Sequence, residues 1–215
     1  MPRRIGCESA LNGSLTIELT ILHTPDTVHM YAPGIHSGAP HTANVLGAMV
    51  DALARDVEAA TAACASGPGG RAAAITALAG FASGSPIDTL AGALGLSHSR
   101  VVRIVDQLEA DGHVARARGT ADRRTVHVTL TDSGWALAKE IATARLSILR
   151  AEVEALDADD RAALDRICAT VLSRRIDSVR AAARTCRLCE PRACGHPRRC
   201  PVTRAANAHR AAGAE

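Results

Sequence analysis

From His41 onward, apolar residues recur at helical spacing. Val45, Met49, Leu53 and Val57 return every fourth position, with Asp51, Arg55 and Glu58 on other faces, the periodicity of an amphipathic helix. "ASGPGG" stops it. "RAAAITALAGFA" reads as a second helix, small and apolar. After "SGS", Pro86 opens a short third helix, "PIDTLAGALG", that ends at Gly95. In "LSHSRVVRIVDQLEADGHV", Ser97 is the expected N-cap of a fourth helix with Val101, Ile104, Val105 and Leu108 on one face. Two short helices meeting at the tight turn "GALGLS" are the pattern of a helix-turn-helix.

The period then changes. In "TVHVTLT", Val126, Val128 and Leu130 point one way and Thr125, His127 and Thr129 the other. With "VARAR" before it and a Gly-Thr-Ala-Asp turn between, this predicts a hairpin. Asp132 or Ser133 is expected to cap a long helix containing Trp135, Leu137, Ile141, Ile148, Leu149, Val153 and Leu156. A last helix starts near Asp157 and carries Leu164, Ile167, Cys168, Val171, Leu172 and Ile176. Beyond Ala183 the pattern gives way to a segment rich in Pro and Cys. Upstream of His41, "YAPGIHSGAPH" is full of turn residues, and "SLTIELTIL" makes at most one isolated strand. The expected organisation is a poorly structured extension over residues 1–38, a domain built on the helix-turn-helix and hairpin over 39–183, and a Cys-rich basic tail over 184–215.

Composition agrees with a mainly α fold carrying a small β-hairpin. Of 215 residues, 47% are apolar, yet Tyr31, Phe81 and Trp135 are the only aromatics. The core must be Ala, Leu, Val and Ile, and Ala loses no side-chain entropy in a helix. Net charge is only +3, but between Arg180 and Arg204 seven arginines face one acid, Glu190. The longest apolar run, Ala72 to Ile87, is too short for a membrane span and is broken by Gly80, Gly84 and Pro86. Asn12 and Glu18 interrupt any signal-peptide pattern, so the expected location is the cytoplasm, with no membrane partner. There is no Gly-rich phosphate loop, no Ser/His/Asp arrangement and no H-E-x-x-H pair, and His98 and His113 are isolated. No enzyme activity is read from the chain.

A helix-turn-helix followed by a hairpin is a winged helix, and here the wing tip carries Arg123 and Arg124 beside Asp122. A narrow minor groove concentrates negative potential that an arginine on a wing can reach, and a carboxylate can orient a neighbouring guanidinium. On the fourth helix, Ser99 and Arg103 lie near the centre of the outward face, and His98 and Arg100 near its N-terminal end. An arginine there can donate two hydrogen bonds to guanine. Ser97 and Ser99 suit phosphate contacts or capping, and Arg116 and Arg118 on the hairpin stem suit phosphate screening. The competing reading pairs Arg100 and Arg103 with Asp106 and Gln107 along a solvated face. A separate alternative makes the winged helix a protein-interaction module without specific DNA binding.

Taken together, "LGLSHSRVVRIVDQLEADGHVAR", the "DRR" of residues 122–124 and the "VTLTDSG" of 128–134 resemble the MarR family of transcription regulators, from about His41 to Arg180. His113 stands where an apolar residue is more usual. The resemblance implies a winged helix-turn-helix flanked by long dimerisation helices. It implies a homodimer whose two winged helices read a pseudo-palindrome in double-stranded DNA. It also implies a regulator, expected to be a repressor, with a small-molecule effector bound between the dimer helices and the DNA-binding lobe. Cys64 and Cys168 read as buried core thiols.

The resemblance does not reach the tail. In "TCRLCEPRACGHPRRCPV", four of the seven cysteines fall within fifteen residues at spacing C-x2-C-x4-C-x5-C. Cys186 and Cys189 have the gap of a metal knuckle. Cys186, Cys189, Cys194 and Cys200, with His196 able to replace one of them, are the expected ligands of zinc or of an iron–sulfur cluster. A disulfide redox switch and an inert basic tail are the alternatives.

Overall fold

The computed structural model describes residues 38–67, 70–118 and 125–212. Apart from Gly38, the expected N-terminal extension lies outside the described residues. The chain divides into two compact units, Met1–Asp56 and Val57–Glu215. The division falls inside the first helix, α1 (Ala39–Cys64).

The second unit begins with the last turns of α1. Gly70 then adopts a left-handed conformation (φ 95°) and leads into α2 (Arg71–Ala77), which widens into one π-type turn over Leu78–Ala82. A two-residue strand, β1 (Ser85–Pro86), precedes α3 (Ile87–Leu94). Gly95, with φ 68°, ends α3, and its N–H and that of Leu96 both bond to the Ala91 carbonyl, an αL stop of the kind Gly accepts without strain. Next come α4 (His98–Ala110), the strands β2 (Val114–Arg118) and β3 (Val126–Leu130), and two long helices, α5 (Asp132–Glu154) and α6 (Ala158–Arg174).

The expected helix-turn-helix and hairpin are therefore present. The sheet has one strand more than expected, in the order β1-β3-β2 and wholly antiparallel. Val114 faces Leu130, Arg116 faces Val128, and Arg118 faces Val126, while Ser85 pairs with Val128 on the other edge. Pro86 is tolerated because β1 is an edge strand.

Ile75, Leu78, Leu90, Val101, Val105, Leu108, Val128 and Ile141 are fully buried in one cluster. Each such side chain contributes about 1.5–3 kcal/mol relative to exposure. The expected inward face of α4 is confirmed, since Val101, Ile104, Val105 and Leu108 are all buried. Arg71, almost wholly buried, spans the cluster's edge. Its Nε donates to the Ala65 carbonyl at 2.9 Å and its guanidinium pairs with Asp111, the C-cap of α4.

Two expectations about helix ends need correction. Thr131, and neither Asp132 nor Ser133, caps α5: its Oγ1 accepts from the Gly134 N–H at 3.1 Å, because Thr131 holds the extended backbone an N-cap needs. The helical pattern also does not end at Ala183. Ser178 caps α7 (Val179–Cys186), which crosses the expected domain boundary, and α8 (Pro201–Ala212) follows. Ile176, Cys200, Val202 and Ala206 form a second small core here. Among the described residues, no helix is long and apolar enough to cross a membrane.

Candidate nucleic-acid interface

Burial of four apolar residues on one side of α4 sets the opposite side outward. His98, Ser99, Arg100 and Arg103 are exposed, and so is Ser97 just before the helix. Ser97 occupies the N-cap position as expected, but its hydroxyl makes no capping bond and instead lies 3.4 Å from the Ser99 hydroxyl. The first-turn N–H groups of α4 thus keep no side-chain acceptor from Ser97, an arrangement that suits a phosphate oxygen. His98 Nδ1 lies 2.7 Å from Asp88 Oδ1 on α3, joining the two helices of the motif.

Arg116 does not stand where a phosphate contact would need it. Its guanidinium meets Asp106 at 2.7 Å and Glu109 at 2.8 Å, and donates to the Val102 carbonyl at 3.3 Å. Its side chain is only 23% exposed. Arg116 therefore braces the hairpin stem against α4, since it faces inward across the β2–β3 pair while Arg118, two residues on and exposed, lies at the open end. This has an electrical consequence. The two acids nearest the outward face of α4 are engaged by Arg116, and among the described residues neither Arg100 nor Arg103 has an ion-pair partner. The competing arrangement, in which Asp106 neutralises those arginines, is not the one adopted. Asp122, Arg123 and Arg124, the expected wing tip, lie outside the described residues.

His113 is not an isolated packing fault. Its Nδ1 lies 2.9 Å from the Ser133 hydroxyl, and its carbonyl accepts from the Thr131 N–H at 3.1 Å. The Thr131 hydroxyl in turn donates to the Gly112 carbonyl at 2.7 Å. "DGH" and "LTDSG" are thus two halves of one lock between the hairpin and α5.

The tail cysteines do converge. Cys186, Cys189, Cys194, Cys200 and His196 line one cavity of about 260 Å³. Within it the Cys194 thiol donates to the Pro191 carbonyl at 3.4 Å. His196 Nδ1 is engaged by the Thr203 hydroxyl at 2.9 Å. Among the described residues, no group of three or more His, Cys, Asp or Glu side chains could hold a metal ion. Cys186 is held at the end of α7 and Cys200 at the start of α8. The hydrogen bond from Cys186, helped by Arg145, holds the Cys189 thiol down at about 6 against the burial that raises it. The same bond, with burial, pushes Cys186 far above the usual thiol range. Burial raises Cys194. Burial also works against Cys200, but hydrogen bonds from Thr203 and from the Val202 backbone outweigh it and leave that thiol lowered, as at other helix N-termini. Cys168, expected in the core, is exposed on α6.

The fold and these helices define a winged helix-turn-helix protein. The MarR family model matches residues 83–126. The chain is 33% identical over 82 residues to the transcriptional repressor MprA of Escherichia coli, covering 38% of this chain and 47% of that protein. It is 33% identical over 66 residues to the uncharacterized HTH-type transcriptional regulator YwhA of Bacillus subtilis, covering 31% and 48%. The matches span about half the length of these curated relatives. Among solved structures, the YusO protein of Bacillus subtilis superposes with a TM-score of 0.51 at 19% identity, over 63% of this chain and 97% of that one. A MarR family transcription regulator, SP03579, does so with a TM-score of 0.52 at 20% identity, over 61% and 91%. These structures establish the shared fold.

Proposed function

We propose that the protein is a transcription regulator that binds double-stranded DNA as a homodimer, with α4 in the major groove and the β2–β3 hairpin beside it. The observation that carries this reading is the outward face of α4. Arg100 and Arg103 stand exposed there and, among the described residues, uncompensated, while Asp106 and Glu109 are held by Arg116. Unpaired guanidinium groups on such a face suit guanine O6 and N7. Dimerisation is supported by apolar side chains that the single chain leaves in water. Val45, Leu46, Met49 and Val50 of α1 are exposed, as are Ile167 and Val171 of α6. A two-fold dimer matches half-sites about one helical turn apart. Repression is the favoured sense, since the relative from Escherichia coli carries that name. A small-molecule effector belongs to this reading on the family resemblance alone.

The test is a titration of purified protein, sized by sedimentation, against labelled duplexes tiled across the DNA flanking its own gene. A dimer that prefers one pseudo-palindromic duplex by about a thousandfold over random sequence supports the reading. A protein with no salt-dependent affinity for any duplex is instead a protein-interaction module.

A further inference from the structure

Three features around the C-terminal region stand apart from the outward face of α4. The four cysteines of residues 186–200 meet around one cavity, with Cys186 and Cys189 joined across one tight turn and Cys194 packed against the small core that contains Cys200. That cavity opens between apolar side chains, among them Phe81 of the π-type turn and Val179 of α7, which are 45% and 59% exposed. Helix α7, which ends at Cys186, is anchored on the first helix of the helix-turn-helix. Arg184 Nε donates to the Gly92 carbonyl at 3.1 Å, and Arg180 lies within 3.6 Å of where a Cβ on Gly92 would stand. The thiols therefore sit one half-turn from a contact that touches the DNA-binding motif itself.

We propose that this module is a dithiol–disulfide switch, in which Cys186 pairs with Cys189 and Cys194 with Cys200 on exposure to a hydroperoxide, and that Arg184 transmits the change to α3. In the first pair, Cys189, whose thiol is the one held low, is the nucleophile. Its sulfur attacks one oxygen of the hydroperoxide and the O–O bond breaks. The leaving alkoxide takes a proton and departs as an alcohol, or as water from hydrogen peroxide. Cys189 is left as a sulfenic acid. The Cys186 sulfur then attacks the Cys189 sulfur, giving up its own proton. The S–S bond forms and the sulfenic oxygen leaves as water. Two thiols have lost two electrons and two protons to one hydroperoxide. A low-molecular-weight thiol reverses the step by exchange. The second pair follows the same course.

The pairing is local. Cys186 and Cys189 bracket one tight turn, in which the Cys189 N–H bonds to the Cys186 carbonyl at 2.9 Å. Closing a disulfide fixes sulfur geometry that the free thiols need not adopt. The end of α7 must adjust, and Arg184 is the nearest residue of α7 that grips α3. Oxidation is thereby expected to loosen α7 from Gly92 and alter the angle at which α4 is presented.

The test uses the full chain, reduced and purified without oxygen, then treated with hydrogen peroxide. Mapping disulfides by alkylation and peptide mass should return the pairs 186–189 and 194–200, both reversed by dithiothreitol. Hydrogen exchange over residues 87–97 should rise on oxidation in the wild type. In R184A it should already be high and should not change further, although the same disulfides form. Affinity for the operator duplex should change by about fivefold or more in the wild type and not in R184A. Crossed disulfides, unreactive thiols, or stoichiometric zinc or iron that shields the four sulfurs would overturn the switch. Correct disulfides with unchanged exchange at α3 would overturn its transmission. Only the affinity arm rests on the DNA-binding reading. A chain that binds no duplex in either state therefore fails that reading, while the disulfide map and the exchange data still decide this one.

Discussion

Gly134 packs directly against the carbonyl of His113: a Cβ built on Gly134 would lie 2.0 Å from the His113 oxygen and 3.0 Å from Leu130 Cδ2. The glycine of "LTDSG" is therefore demanded by a close approach of backbone to backbone. That oxygen accepts the Thr131 N–H, so it cannot move aside without releasing the start of α5. Gly134→Ala is expected to destabilise the protein by about 3 kcal/mol or more, in the range of severe single substitutions. Urea unfolding would measure it, and a variant within about 0.5 kcal/mol of wild type would show that the lock relaxes freely.

Arg116 and Arg118 lie two residues apart on one strand and are expected to behave differently. Arg116→Ala removes a brace engaged by two acids and is expected to cost about 1 kcal/mol in stability, discounted because both acids are partly exposed. It is expected to weaken binding to all duplexes alike while leaving the salt dependence unchanged. Arg118→Ala is expected to leave stability alone and to reduce the salt slope by about one. A titration of affinity against salt separates the two, and an equal drop in slope for Arg116→Ala would make it a phosphate contact.

Arg103 is the test of base reading. Its neighbours in the sequence, Val102 and Ile104, are half-buried and buried, so truncating Arg103 removes an outward side chain without touching the core. Arg103→Ala is expected to lose about 1–3 kcal/mol on the preferred duplex and far less on random DNA. Equal losses on both would assign it to the phosphate backbone.

The Cys189 thiol, held at about 6, is a thiolate above that pH and a thiol below it. Its alkylation by iodoacetamide should therefore rise as pH increases through about 6 and level off near neutrality, ahead of Cys186, whose thiol is held protonated. Cys186→Ala removes the donor, and the midpoint for Cys189 should move up toward the ordinary thiol value. Peptide mass spectrometry after timed alkylation reads this directly. A Cys189 midpoint unmoved by the substitution would show that Cys186 is not the stabilising group.

The winged helix could be read from the chain because its signals are local. Periodicity switches from 3.6 to 2 between Leu108 and Val126, Gly95 stops α3, and the four apolar residues of α4 share a face whatever they pack against. The α7–α8 module was missed although Ser178 and Pro201 are ordinary helix-start residues. The intervening Pro and Cys masked two short helices whose stability comes from Ile176 and Val202 packing together rather than from propensity. The role of Arg116 was beyond reach of the sequence for a similar reason. Whether a stem arginine faces phosphate or a carboxylate depends on strand register and on how the sheet meets α4. So does the meeting of four cysteines around one cavity, since spacing states which sulfurs can meet and only the packing of the tail brings them together. What the sequence determined by itself is everything set within a turn or two of backbone. The tertiary structure alone decided which charged and sulfur-bearing side chains find each other, because those encounters are between elements distant in the chain.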